Sequence, residues 1–274
     1  MKRGNPFALG AIALWATLAS LGVSLSHVSP FLLTGLALLI GSIPALPLLR
    51  QWRVPPATLA LGVYGLFGFH FLLFIALRHA PPVQANLVNY LWPLLMVVLA
   101  PLLLRGVQLK LVHIVAALVG FAGAAIAIAG GRQLDTGFAW GYLPAAGSAF
   151  IWASYSLLTQ RVARFPTAAI GGFAAVSGLL SLACHSLLEP SAALSGQDWL
   201  LIVLMGLGPL GGAFFLWDAA LKRGDARSIG LLSFLTPLLS TLLLLVLRGD
   251  RPSPSIVLAA VMIVGAALVG TRAR

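Results

Sequence analysis

Residues 76–95 read ALRHAPPVQANLVNYLWPLL, and residues 220–239 read ALKRGDARSIGLLSFLTPLL. At a constant offset of 144 residues (76 against 220), Ala76 meets Ala220, Leu77 meets Leu221, Arg78 meets Lys222, Tyr90 meets Phe234 and Pro93 meets Pro237. Each copy is an apolar run ending in basic residues, a short turn, and a second apolar run interrupted by proline. A proline in mid-helix removes a backbone donor and frees a carbonyl. A further echo pairs GAIALWATLAS from Gly10 with GSAFIWASYSL from Gly147, which sets Trp15 against Trp152 and Ala16 against Ala153. The duplication divides one transmembrane domain, 1–274, into repeats 1–133 and 134–274.

Composition states where such a chain lives. Of its 274 residues 60% are hydrophobic and only 8% charged, with mean hydropathy +1.01, too little polar surface to coat a water-soluble domain. The 29 glycines and 17 prolines sit among Leu, Ala and Val, where membrane helices tolerate them. A net charge of +11 would fit nucleic-acid binding if the bases formed a stripe, but they come in pairs between apolar runs, so no nucleic-acid partner is expected. Cys184 stands alone, which leaves no intrachain disulfide and no metal site of clustered cysteines. Met1–Pro6 leads into an apolar run long enough to span and without a clear small-residue cleavage site, so it reads as a retained first helix.

Crossing a bilayer takes about 20 mainly apolar residues, and ten such runs can be marked, near 6–26, 30–49, 57–77, 82–104, 110–130, 138–160, 167–188, 199–221, 228–247 and 254–271. With ten spans both termini share one side. That side collects thirteen of the 17 Lys and Arg, and the other holds Arg78, Arg132, Arg248 and Arg251. Positive loops face the cytoplasm, so both termini are expected there. The acids lean outward, with Asp135, Glu189, Asp198 and Asp250 on the far side. Five spans per repeat is an odd number, so the second repeat enters from the opposite face. The expected fold is all-α, ten transmembrane helices as two inverted five-helix repeats, with a substrate site near the midplane where the repeats meet.

The residues that carry these signals are also those of a known family. The LWA around Trp15, the segment 76–95, the run ALKRGDARSIGLLSFLTPLLSTLLLLVLRGDRPS from Ala220 and the closing VGAALVG resemble the EamA-like class of the drug/metabolite transporter superfamily, most of all its bacterial aromatic amino acid exporters. The resemblance covers essentially the whole chain. It implies a bacterial inner-membrane transporter that exports amino acids, aromatic or other neutral ones, or similar small metabolites by alternating access. One departure is that the family often carries Gly-Glu after the fourth and ninth helices, where this chain has Arg105-Gly106 and Gly249-Asp250.

Several residues inside the spans have the chemistry of a binding site. Asn86, Asn89, Tyr90 and Pro93 fall at i, i+3, i+4 and i+7, one face of a helix, and Gly230, Ser233, Phe234 and Pro237 repeat that stripe. Amides facing lipid are costly, so Asn86 either reaches a cavity or bonds a neighbouring helix. Pro93, Pro237, Gly211 and Gly212 are candidate hinges or close-packing points. Trp15, Trp92, Trp152 and Trp217 lie inside spans, and with Tyr90, Tyr155 and Phe214 they are the candidate walls of a pocket for a small amphipathic solute. His70, Asn86 and Ser233 are its candidate polar anchors, and the alternative for each is ordinary interhelical packing. Asp218 is the one acid within a span. It is a candidate coupling group or partner of a substrate ammonium, although Lys222 at i+4 is placed to neutralise it.

Catalysis has no support, since the chain lacks a His-Glu-x-x-His zinc motif, a Gly-x-Ser-x-Gly nucleophile turn and a pair of intramembrane aspartates. The expected partners are a small-molecule substrate and membrane lipid, with no metal and no cofactor. The competing reading is a cationic drug or multidrug efflux transporter, which needs a carboxylate facing the cavity. A non-transport membrane protein or an intramembrane enzyme is the remoter alternative, and oligomeric state is not encoded in these patterns.

Overall fold

A computed structural model describes residues 3–129 and 137–272. Lys2, Arg132, Asp135 and Arg274, which enter the topology count, lie outside the described residues. Every regular element among the described residues is helical. Among the described residues nine helices are long and apolar enough to cross a membrane: α1 (Asn5–Ser24), α2 (Pro30–Trp52), α3 (Pro56–His79), α4 (Pro82–Leu103), α5 (Leu111–Ala129), α7 (Ala169–Leu188), α8 (Gly196–Arg223), α9 (Ala226–Leu247) and α10 (Pro254–Arg272). Between α5 and α7 lies α6 (Tyr142–Leu158), a helix of 17 residues.

The sequence marks where these rods begin and bend. α2, α3, α4 and α10 open on proline, whose missing N–H costs nothing in a first turn that has no acceptor for it. α8 opens on a capping box in which Ser195 accepts from the Asp198 N–H and Asp198 accepts from the Ser195 N–H. α4 is interrupted at Tyr90 and Leu91, and α9 at Phe234. Both breaks fall just before Pro93 and Pro237, whose rings collide with the carbonyls of Asn89 and Ser233 four residues back. α3 widens to a π turn at Tyr64–Gly68 and α8 at Gly208–Gly212, again 144 residues apart. α2 tightens into a 3-10 stretch, Ile43–Trp52, over Pro44 and Pro47.

Packing pairs α5 with α10, α2 with α7, α1 with α8 and α3 with α6, while α4 lies against both α6 and α9. Small residues let some of these helices touch through their backbones. A Cβ on Gly35 would stand 3.1 Å from the Gly178 carbonyl of α7, and one on Gly41 would stand 2.7 Å from the Gly206 carbonyl and 2.8 Å from Gly211 Cα of α8. The main apolar core runs through α1, α6, α7 and α8 and holds Trp92, Trp152, Phe173 and Trp217. A second cluster joins α5, α9 and α10 around Phe234 and Ile263.

Candidate functional site

The first half of α1 carries Trp15 into the middle of the bundle, where four aromatic side chains from three helices, α4, α6 and α8, surround it. Its ring centroid lies 6.3 Å from Trp92, 5.8 Å from Trp152, 6.2 Å from Phe214 and 5.1 Å from Trp217, within the range of edge-to-face and offset contacts. Its indole Nε1 donates to the Pro209 carbonyl at 3.1 Å. Pro209 belongs to the α8 π turn, so the wide turn supplies the acceptor that a regular helix would have used internally. The α3 π turn does the same for His70, whose Nδ1 lies 2.6 Å from the Leu66 carbonyl. A carbonyl only accepts, so the proton sits on Nδ1 and a neutral ring keeps Nε2 as an acceptor.

Beside this cluster is a cavity of about 520 Å³. Trp15, Trp92 and Trp152 form its deep end, Phe69, His70 and Phe74 line it from α3, and Met205, Leu210 and Phe214 from α8. Asn86, Asn89 and Tyr90 of α4 and Thr236 of α9 bring the polar groups. Asn89 Oδ1 accepts from Ser148 Oγ at 2.8 Å, which leaves its amide nitrogen as a donor, and the buried Thr236 hydroxyl has no hydrogen-bond partner among the described residues. Leu25, Ser26, Val28 and Pro30 at the α1–α2 connection, together with Arg78 in the last turn of α3, frame the mouth.

At the opposite end the bundle is closed. Trp217 Nε1 donates to Ser156 Oγ at 3.0 Å, and Lys222 Nζ bonds Asp218 Oδ2 at 2.6 Å and the Phe165 carbonyl at 2.8 Å, 4.0 Å from the centroid of the Phe165 ring. Arg161 donates to the Leu103 carbonyl and Arg227 to that of Gln108, which ties α4 to the connections around α6 and α9.

Of the residues singled out in the sequence, Trp15, His70, Asn86, Tyr90, Trp92, Trp152 and Phe214 line the cavity. Tyr155, Trp217 and Ser233 are buried away from it. Tyr155 packs 5.4 Å from Trp152 with its ring against Gly65, Trp217 holds Ser156, and Ser233 spends its hydroxyl on the Gly230 carbonyl at 2.5 Å. Asp218 is committed to Lys222 and lies outside the lining. Pro93 and Pro237 sit behind the cavity at the α4 and α9 breaks, and Gly211 and Gly212 lie in the α8 π turn. Sequence reasoning passed over Phe69, Phe74, Thr236 and Arg78. A signal for two of them existed, because His70, Phe74 and Arg78 are spaced i, i+4, i+8 on one face of α3.

Among the described residues no group of three or more His, Cys, Asp and Glu is arranged to hold a metal ion.

Apolar spanning helices around a cavity that is open at one end and closed at the other define a multi-pass membrane protein of the solute-transporter class. The chain belongs to the EamA-like transporter family, whose model matches it twice, over residues 2–129 and 139–271. It is 43% identical to the Aromatic amino acid exporter YddG of Ancylobacter novellus, across 99% of this chain and 98% of that protein. It is 29% identical to the proteins of the same name from Escherichia coli, over 98% of this chain and 96% of that one, and Salmonella typhimurium, over 96% and 94%. A solved crystal structure 43% identical in sequence superposes with a TM-score of 0.92 over 98% of this chain and 96% of its own. With this family and these relatives, the chain is a transporter and not an enzyme.

Proposed function

We propose that the protein exports amino acids, aromatic or other neutral ones, or similar small metabolites across the bacterial inner membrane by alternating access. The observation that carries the reading is the likeness, along 99% of the chain, to a protein named as an aromatic amino acid exporter. The cavity supports it: about 520 Å³ with aromatic walls and few polar points is the kind of site that holds a small amphipathic solute. Trp15, Tyr90, Trp92, Trp152 and Phe214 serve as walls, and His70 and Asn86 as polar anchors. Tyr155, Trp217 and Ser233 act from behind, by holding the walls in place.

In this reading α6 completes ten spans, arranged as two inverted five-helix repeats. The family match on each half supports the duplication. So does the packing, in which α1 on α8 corresponds to α6 on α3 when each helix is exchanged for the one five places on. The matched π turns and the matched breaks before Pro93 and Pro237 are the points where helices bend as the cavity changes sides, with Gly211 and Gly212 as part of one hinge. The Lys and Arg partition puts both termini in the cytoplasm, so the mouth at Arg78 opens outward. Asp218 keeps Lys222 in the closed inner end and is not a dedicated coupling site.

Counterflow tests the reading. Vesicles holding the purified protein and loaded with unlabelled phenylalanine are expected to accumulate labelled phenylalanine transiently, and absence of exchange for every amino acid in a panel would sink it. Trp152→Ala and Tyr90→Ala are expected to lower that exchange at least about tenfold with expression near wild type. Unchanged flux would leave both residues a packing role only.

A further inference from the structure

We infer that the cavity recognises an aromatic ring and a carboxylate, with Arg78 as the carboxylate-binding group, and that it therefore also takes arylalkanoic acids that lack an amino group. The inference rests on the export reading for its setting and extends it to a substrate class. Arg78 is the one charged residue among those lining the cavity, and no acid lines it among the described residues.

The guanidinium is only partly neutralised. One nitrogen donates to Glu189 Oε1 at 2.6 Å, and the Arg78 side chain is 39% exposed, so most of its five donors remain for another partner. Glu189 is meanwhile shared. Its carboxylate caps the start of α2 by accepting the Phe31 and Leu32 N–H groups at 3.2 and 3.3 Å, and it also lies 3.0 Å from His185 Nδ1. That positive helix end and the histidine already use the acid's lone pairs, which leaves net positive potential at the mouth.

The stripe on α3 supplies the ruler. At about 1.5 Å of rise per residue, Arg78 stands about 6 Å above Phe74 and about 12 Å above His70. A solute whose carboxylate bonds Arg78 reaches the Phe74 ring with its own ring. An ammonium group finds only neutral acceptors such as His70 Nε2 and the Asn86 amide, so the site gains little from it. A solute with an ammonium and no carboxylate meets the partly compensated charge of Arg78 with no acid in the lining to attract it, and is disfavoured. The same charge argues against a cation efflux pump, which would need an acid where this cavity has none.

The test is binding to purified protein in detergent, followed by quenching of the tryptophan fluorescence that the cavity itself provides. The probes are phenylalanine, 3-phenylpropionate and 2-phenylethylamine. Phenylpropionate is expected to bind within about threefold of phenylalanine, and phenylethylamine at least about tenfold more weakly. Arg78→Gln should weaken phenylpropionate about tenfold, with partial recovery in Arg78→Lys. Glu189→Gln separates a ligand role from a merely structural one. Freed from its partner, Arg78 should bind phenylpropionate as tightly as before or more tightly, whereas a simple latch would make both variants weaker alike. Phenylethylamine binding as well as phenylpropionate, no binding of any probe, or equal losses in Arg78→Gln and Glu189→Gln would each overturn the inference. Phenylalanine counterflow without phenylpropionate binding removes this inference and leaves amino acid export standing. Phenylpropionate binding without counterflow of any amino acid does the reverse.

Discussion

The last turns of α3 and α8 are copies of one another in sequence and opposites in use. In each a cation lies over a phenylalanine ring of another segment, Arg78 over Phe31 in the first turn of α2 at 5.7 Å and Lys222 over Phe165 in the α6–α7 connection at 4.0 Å, and each cation has a carboxylate 2.6 Å away. The source of the acid differs. Asp218 belongs to the same helix as Lys222, so that pair is complete within α8 and the ammonium can go on to bond the Phe165 carbonyl and Thr167 hydroxyl. Glu189 comes from the end of α7 and is divided among α2, α3 and its own helix. One arrangement seals; the other leaves a charge beside an opening. A duplicated motif thus acquires two roles through the position of a single acid.

The largest effect that would test this contrast is expected from Lys222→Met. It strands Asp218, 3% exposed, and should cost about 3 kcal/mol, read as a drop in thermal unfolding in detergent. Gly4→Ala probes the same closed end without touching charge. Its new methyl would sit 2.5 Å from the Ala220 carbonyl and 2.7 Å from Gly224 Cα, and a loss of about 2 kcal/mol is expected from overpacking. Arg78→Met should lose only about 1 kcal/mol or less, because Glu189 keeps the α2 amides and His185. Equal destabilisation by the Lys222 and Arg78 variants would break the comparison. Gly22→Ala, at the mouth and with nothing within 4 Å of the new methyl, should gain about 0.5 kcal/mol from better helix propensity, a small rise in melting temperature.

Nine of the ten expected spans were legible because a bilayer imposes length and apolarity on consecutive residues, and local sequence carries both. The ninth span, expected near 228–247, is Ala226–Leu247, and the eighth, expected near 199–221, runs longer as Gly196–Arg223 because Ser195 and Asp198 cap it below the apolar run. The helix breaks were visible as Pro93 and Pro237. The π turns were not, since a single extra residue per turn leaves hydropathy unchanged, although Gly65, Gly211 and Gly212 lie in them. Within the site, aromatic type marked the right neighbourhood but not which side of a helix faces the cavity. Trp152 lines it while Tyr155 and Trp217, equally buried, face packed protein. A helix surrounded by others has no solvent face to fix its rotation in the sequence. Arg78 escaped notice for a different reason: counted as a loop charge for topology, it sits at a helix end that also forms the rim of the cavity.

The glycine contacts of α2 have a mechanical consequence. Interlocked side chains act as teeth, and one helix slides past another only when each tooth climbs out of its groove. Where Gly41 meets Gly206, Leu210 and Gly211, the nearest facing atoms are all backbone, and the teeth are missing. In the proposed alternating-access cycle α2 is then a smooth bearing for α8, and a methyl group added at Gly41 would act as grit, slowing turnover more than it alters the affinity of the resting state.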